Sequence, residues 1–269
     1  MITRRSALRG IGLLSLLAGG HWPGCLGAEG GTAAGETFRF HILNDLHHAA
    51  PECDPWFARV VARLQEDGDH EFALLLGDLT DTAKPGSFAA VKEAFSRIHR
   101  PFHVQIGNHD QLAGGDAGAY EAAFPDRRNY AFEHRGWQFV GIDSTQGTDS
   151  SDTKVSERTL AWLDGNVGRL DRRRPVVLFT HFPLGKGARM APLNADDVLG
   201  RFLGLNLRGV FGGHYHAQTE TAFHGTPVVT GRCCARVRGN HDGSKEKGWW
   251  SVTAADGRLT RTFVEFAKV

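Results

Sequence analysis

Apolar and polar positions follow a repeating order from residue 36 onward: a short apolar run, a polar loop, then a segment with helical spacing. FRFHIL at residues 38–43 alternates as a half-buried strand does and stops at Asn44-Asp45-Leu46-His47-His48. Residues 55–67 place Phe57, Val60, Val61 and Leu64 at helical intervals, with Pro55 suited to a first turn. FALLL at 72–76 is a buried-strand run that ends at Gly77-Asp78. Residues 87–98 set Phe88, Val91, Phe95 and Ile98 on one stripe, and FHVQI at 102–106 runs into Gly107-Asn108-His109-Asp110. That βαβαβ order predicts parallel strands joined by right-handed crossovers.

The rhythm changes after residue 130. Residues 130–144 read as a hairpin turning near Arg135-Gly136, and 156–170 as a helix weakened by Gly165. The first rhythm then returns, with strands at 176–179 and 207–211 ending at Thr180-His181-Phe182-Pro183 and Gly213-His214-Tyr215-His216. Residues 219–231 and 249–266 each resemble a hairpin about a glycine-containing turn. With no tandem repeat, low-complexity stretch or linker, residues 36–269 are expected to form one α/β domain.

The N-terminus has another character. Thr3-Arg4-Arg5-Ser6-Ala7-Leu8-Arg9 followed by an apolar run from Ile11 to Ala18 has the layout of an export signal and resembles the bacterial twin-arginine type. Residues 1–35 are therefore expected to be a signal and leader, and the protein periplasmic or associated with the cell envelope. Trp22-Pro23-Gly24-Cys25 offers a lipid tether at Cys25, although Trp and Pro replace the small residues expected before Gly-Cys; ordinary cleavage between Ala28 and Gly35 is preferred. No apolar run reaches membrane-spanning length. The 269-residue chain has a formal net charge of +1, and removing Arg4, Arg5 and Arg9 leaves about −2, so no broad basic face is expected and nucleic acid is not the expected partner. Of four cysteines, Cys53, Cys233 and Cys234 remain once Cys25 is set aside; a bond from Cys53 to one of the pair and buried free thiols are both open.

Five strand ends carry Asp45 and His47, Asp78, Asn108 and His109, His181, and His214 and His216. Loops at the carboxyl ends of parallel strands can converge on one crevice. Carboxylate, imidazole and amide oxygen without thiolate suit manganese, iron or zinc. Seven of these, Asp45, His47, Asp78, Asn108, His181, His214 and His216, exceed one ordinary site but suit two ions if a carboxylate bridges them, about 3.5–4 Å apart, an arrangement that can clamp both oxygens of an in-line displacement at phosphorus. Two dications against two carboxylates and a hydroxide leave positive charge for a phosphate anion.

The ordered set Asp-x-His (45–47), Gly-Asp-x-x-Asp (77–81), Gly-Asn-His-Asp (107–110), the single His181 and Gly-His-x-His (213–216) resembles the calcineurin-like metallophosphoesterase family across nearly the whole chain after the leader. The resemblance implies a sandwich of two mixed β-sheets flanked by helices, and two divalent or trivalent transition-metal ions. It assigns Asp45, His47, Asp78 and His216 to the first ion and Asp78, Asn108, His181 and His214 to the second, with Asp78 bridging. It implies hydrolysis of a small phosphate ester, diester or monoester, by a hydroxide held on the metals. His109 would protonate the leaving alkoxide and Asp110 would orient its ring. A cyclic-nucleotide phosphodiesterase is the narrower version, and a non-catalytic binding scaffold on the same fold the alternative. His where purple acid phosphatases have Gly, and no Tyr in GDLTD, argue against a tyrosinate-iron site. His70, His99, His134 and His224 receive no role, and His48 and His103 are read as core or surface residues.

Gly-Asn-His-Asp occurs again at 239–242, after Arg236-Val237-Arg238. It has no second set of partner ligands, so it is not a duplicated metal site. A solvated loop is the preferred reading; a border of the site, with His241 and nearby arginines and tryptophans touching the ester's organic group, is the alternative.

Overall fold

A computed structural model describes residues 36–268. The expected export signal, its cleavage site and the tether at Cys25 lie outside the described residues. Strands β1 (Phe38–Leu43), β2 (His70–Leu76) and β3 (Phe102–Gln105) alternate with helices α1 (Asp54–Glu66) and α2 (Pro85–Ser96), as the periodicity predicts. After the short helix α3 (Gly118–Ala123) come β4 (Tyr130–His134), β5 (Trp137–Ile142), α4 (Glu157–Asn166), β6 (Pro175–Thr180), α5 (Ala195–Gly200) and β7 (Asn206–Gly212). Two hairpins close the chain: β8 (Thr219–Phe223) with β9 (Thr226–Thr230), and β10 (Glu246–Ala255) with β11 (Arg258–Lys268).

The strands form two mixed sheets, ordered β11-β10-β1-β2-β3 and β4-β5-β6-β7-β9-β8. β1, β2 and β3 are parallel, as are β5, β6, β7 and β9; β10, β11, β4 and β8 run antiparallel to their neighbours. Helices flank this two-sheet sandwich.

Alternation along β1 explains why the sheets face each other. Phe38, Phe40 and Ile42 join Phe72, Leu74, Trp137, Phe139, Phe179 and Val252 in one buried cluster between the sheets. Phe40 stacks on Phe72 at 5.0 Å and meets Phe139 edge-on at 5.4 Å. Each such ring contributes about 1.5–3 kcal/mol by burial, with a further increment for edge-to-face contact. The opposite faces of β1 and β2 send Leu43, Ala73 and Leu75 into a second cluster with Phe57, Val60, Leu64, Phe88, Val91 and Phe95 from α1 and α2. Strands buried on both faces read as continuous apolar runs, which is why FALLL does not alternate.

Three differences from expectation are local. α2 begins at Pro85 because proline fits a first helical turn. α4 stops at Asn166 and tightens into a 3-10 turn over Val167–Arg169. α3 and α5 are six residues each, too short to show a period. Cys53, Cys233 and Cys234 are buried free thiols, so no disulfide forms among the described residues.

Candidate metal centre

The parallel strands of both sheets end at one edge, and five of the seven expected ligands sit immediately beyond in left-handed backbone. Asp45 has φ 54°, His47 46°, Asp78 46°, His214 63° and His216 48°. For residues other than glycine this costs roughly 1–2 kcal/mol each and is retained where the surroundings over-determine it. Here the turns let residues i and i+2 of Asp-Leu-His and His-Tyr-His face the same side. The glycines of these motifs have a packing reason. A Cβ on Gly107 would lie 2.1 Å from Asp78 Oδ1, and one on Gly213 would lie 2.7 Å from Asp45 Oδ2.

The seven side chains meet as two buried groups. Asp45, His47 and His216 present donor atoms within 4.8 Å of one another, as do Asp78, His181 and His214. Asp78 spans the two: Oδ2 lies 3.5 Å from His47 Nε2 and Oδ1 lies 3.4 Å from His181 Nε2. Asn108 Oδ1 is 3.1 Å from His181 Nε2, which adds the amide oxygen to the second group. His47 Nε2 and His216 Nε2 approach to 3.4 Å, a contact between two nitrogens that a shared cation would reconcile.

Whether these imidazoles suit a metal is decided by their outer nitrogens. His47 Nδ1 donates to Asp81 Oδ1 (3.0 Å), His181 Nδ1 to Leu76 O (3.0 Å), His214 Nε2 to Ser150 O (2.9 Å) and His216 Nδ1 to Gly239 O (3.0 Å). Each acceptor can only accept, so each outer nitrogen carries a hydrogen and the inner one, when the ring is neutral, has its lone pair available for a cation. Asp45 is fixed by His214 N (2.9 Å) and Asn44 Nδ2 (2.6 Å), so its carboxylate cannot turn away.

Protein charges alone make Asp45 and His216 an ion pair, with Oδ1 and Nε2 3.1 Å apart. Burial opposes ionisation of both. Asp45's charge nevertheless pushes His216 up to about 11, and His216, His181 and His47 hold Asp45 below the carboxylate range. A metal that replaces the His216 proton would release it on binding. His214 is lowered to about 4 by burial and by His181, so it is neutral and ready to donate.

His109 sits beside His47, ring centroids 4.8 Å apart, and its Nδ1 donates to the main-chain carbonyl of Asp81 (3.0 Å). Its other nitrogen remains available for proton transfer. Asp110 does not take the role expected of it. Its fully buried carboxylate accepts from Leu79 N (3.1 Å), Thr80 N (2.8 Å), Gly107 N (2.9 Å) and Thr80 Oγ1 (3.2 Å), and so ties the loop after β2 to the loop after β3. Burial and the Asp78 charge raise it to about 7 against these donors. The group that orients His109 is Asp81. Its carboxylate also completes a cluster with His47 and His109, but Oδ1 is shared with Arg238 at 2.5 Å, which marks it as an orienting group rather than a third metal site.

The second Gly-Asn-His-Asp lies in a loop that is largely solvent-exposed, as preferred, and that also borders this site. Gly239 supports His216, and exposed His241 stacks over the His216 ring at 4.9 Å. Tyr215 meets His241 edge-on at 5.7 Å, and its hydroxyl accepts from Arg189 (2.9 Å). Asn240 turns inward to bond Cys233 N, Ser244 O and Glu246 O. Trp249 is buried in the helix-side core, and Trp250 donates to Thr230 O, so neither suits the ester contact weighed for them. His48 bonds Asp54, and His103 stacks on Phe132 at 3.6 Å, in line with structural roles. A cavity of about 370 Å³ between α1 and α2 includes none of the seven ligands.

Comparison with known proteins agrees with this arrangement. Among curated proteins the chain is 27% identical over 145 residues to a probable cyclic nucleotide phosphodiesterase of Synechococcus, covering 53% of this chain and 54% of that one. It is 26% identical over 176 residues to a 3',5'-cyclic-nucleotide phosphodiesterase of Nostoc, covering 62% and 64%. The chain thus spans between about half and two thirds of these relatives' lengths. In fold it is similar to a purple acid phosphatase from yellow lupin seeds (TM-score 0.63, 15% identity, 86% of this chain and 52% of that one). It is also similar to the anchor in the inner membrane complex of Plasmodium (TM-score 0.61, 12% identity, 86% and 85%). The calcineurin-like phosphoesterase family model matches residues 38–218, the span from β1 through the last two ligands, and the chain belongs to that family.

Proposed function

We propose that the protein is a dinuclear metal-dependent hydrolase of phosphate esters, with phosphodiesters, 3',5'-cyclic nucleotides among them, as the substrate class. The observation that carries this reading is the pair of buried donor groups joined by Asp78. Fold likeness alone does not separate enzyme from scaffold, since the neighbours include both a phosphatase and an anchor. A scaffold has no use for left-handed strain at five residues whose inner nitrogens and oxygens converge. The names of the curated relatives support the diester over the monoester.

Asp45, His47, Asp78 and His216 would hold one ion and Asp78, Asn108, His181 and His214 the other, with manganese, iron or zinc suited to the donor set. Bound there, the ions supply Lewis-acid activation of a phosphoryl oxygen and of water. The chain's own residues do the rest. Asp81 O keeps the hydrogen of His109 on Nδ1, so Nε2 is the atom that exchanges a proton with the leaving oxygen once charged. His241 and Tyr215 form a ring-lined border beside His216, suited to the organic part of an ester. The basic N-terminal segment supports export through a twin-arginine-type route, which cell fractionation would test.

The deciding experiment is to purify the protein, quantify Mn, Fe and Zn, and assay bis(p-nitrophenyl) phosphate, p-nitrophenyl phosphate and 3',5'-cyclic AMP. Hydrolysis of the diesters with about two metal ions per chain is expected. No turnover of any ester in added Mn²⁺ would sink the enzyme reading.

A further inference from the structure

The loop of residues 236–245 is tied to the first half of the site at three points. Arg238 donates from Nε (2.8 Å) and Nη2 (2.5 Å) to Asp81 Oδ1, the same oxygen that accepts from His47 Nδ1 at 3.0 Å. Gly239 O accepts from His216 Nδ1, and His241 covers the His216 ring. The loop is itself anchored. Asn240 bonds three main-chain groups, and buried Lys247 donates from Nζ to Arg238 O at 2.5 Å and to Cys233 Sγ at 2.9 Å. The second half of the site leans elsewhere, on the carbonyls of Leu76 and Ser150.

Asp81 is the joint between loop and site. Its carboxylate sets the plane of the His47 ring, and its carbonyl sets that of His109. Asp81 is only partly buried, so its own packing does not fix its rotamer. The guanidinium does this: two N–H groups on one carboxylate oxygen restrict its rotation and hold that oxygen where His47 Nδ1 reaches it.

We propose that Arg238 is a positioning residue which, by clamping Asp81, holds His47 for the first metal ion and His109 for the leaving group. The proposal rests on the phosphoesterase reading above and gives a role to the second Gly-Asn-His-Asp loop.

The test compares Arg238→Lys, which keeps the charge, with Arg238→Gln, which keeps a donor without it, and with Arg238→Ala. Long-range ¹H–¹⁵N spectra of chelator-treated protein read the His47 tautomer, and Mn²⁺ titration calorimetry reads both binding steps. The wild type is expected to show His47 with its hydrogen on Nδ1. Arg238→Ala and Arg238→Gln are expected to show a mixture, with one Mn²⁺ step weakened about 10-fold or more and the other within about twofold. In hydrolysis of bis(p-nitrophenyl) phosphate, kcat should fall more than KM rises, and Arg238→Lys should recover most of each loss. A wild-type His47 spectrum together with unchanged Mn²⁺ affinities in Arg238→Gln would overturn the proposal, as would equal defects in the Lys and Gln variants. If the wild type hydrolyses no ester, the proposed function fails, while the tautomer and titration comparisons still decide the role of Arg238.

Discussion

Asp110→Asn is the sharpest test of how the site is built. The carboxylate lies buried among donors: Leu79 N and Gly107 N on Oδ2, Thr80 N and Thr80 Oγ1 on Oδ1. An amide must turn its NH₂ toward one of these pairs. In the milder orientation the Thr80 hydroxyl rotates to accept, and Thr80 N alone is orphaned; in the other, two buried N–H groups are. An orphaned donor costs about 1–3 kcal/mol, and losing the charge both weakens the surviving bonds and relieves the repulsion from Asp78, so about 2 kcal/mol is expected. For a domain of this size that corresponds to a fall in Tm of about 4–8 °C. The assay is thermal unfolding with chelator at pH 8, where the carboxylate is ionised, beside kcat at saturating Mn²⁺. Turnover per folded molecule should fall less than in His109→Ala, because Asp110 holds loops together and does not touch the acid. A Tm within about 2 °C of wild type, joined to a loss of turnover as large as that of His109→Ala, would refute this reasoning and return Asp110 to the role of ring partner.

Other expectations follow from the same geometry. His109→Ala should lower kcat about 10²–10⁴-fold with metal content kept, whereas Asp78→Ala should lose metal and turnover together, as elemental analysis and rate measurements would show. His241→Ala should raise KM several-fold with metal content unchanged, since the ring borders the site and holds no ligand position; an unchanged KM would leave His241 without a substrate contact. His41, fully buried, is lowered to about 3 by burial and by the nearby charges of His70, Arg39 and Arg63, and its Nε2 lies 3.1 Å from Asp67 Oδ2 without hydrogen-bond alignment. Its folded pKa is depressed, so the neutral ring's contribution is fully present above about 6.5 and is lost as pH falls toward 3, at up to about 1.4 kcal/mol per pH unit. Urea unfolding of His41→Phe at pH 7 and pH 4.5 should show a shallower acid loss than wild type; equal losses would exclude His41 as a source of acid sensitivity.

Much of this is legible in the sequence, for identifiable reasons. β1, α1, β2 and α2 follow from periodicity because each buries at least one face continuously. The seven expected ligands converge because each follows an apolar run that ends at the same edge of the sandwich. What stayed hidden has no letter of its own. The acceptors that fix three of the four ligand imidazoles are the carbonyls of Leu76, Ser150 and Gly239, and a carbonyl is common to every residue. Asp81 was visible as the second carboxylate of GDLTD, but nothing in one dimension shows that its carbonyl, rather than Asp110, meets His109. Arg238 lies 157 positions from Asp81, and no local pattern joins them. The two-sheet origin of the ligand loops was implied by family resemblance and not by periodicity, which cannot assign strands to sheets.

The repeated tetrapeptide shows how far the same four residues can diverge in role. At 107–110 the glycine is required, since a Cβ would strike Asp78 Oδ1 at 2.1 Å, whereas around Gly239 a Cβ would meet nothing within 4 Å. Asn108 turns its oxygen toward His181, while Asn240 spends oxygen and nitrogen on its own loop. His109 is held through Nδ1 with its other nitrogen available; His241 lies flat over a ligand ring. Asp110 ties two ligand loops together, whereas Asp242 caps a surface turn at Ser244. Identical side chains therefore separate into proposed proton donor and border according to whether a carboxylate, a strand end and an imidazole already occupy the space around them. The first copy joins the buried donor groups because Asp78 fills the place that its glycine leaves open. The second contributes through Gly239's carbonyl and Arg238, the residue just before it, which is why the loop matters to the site without resembling a site itself.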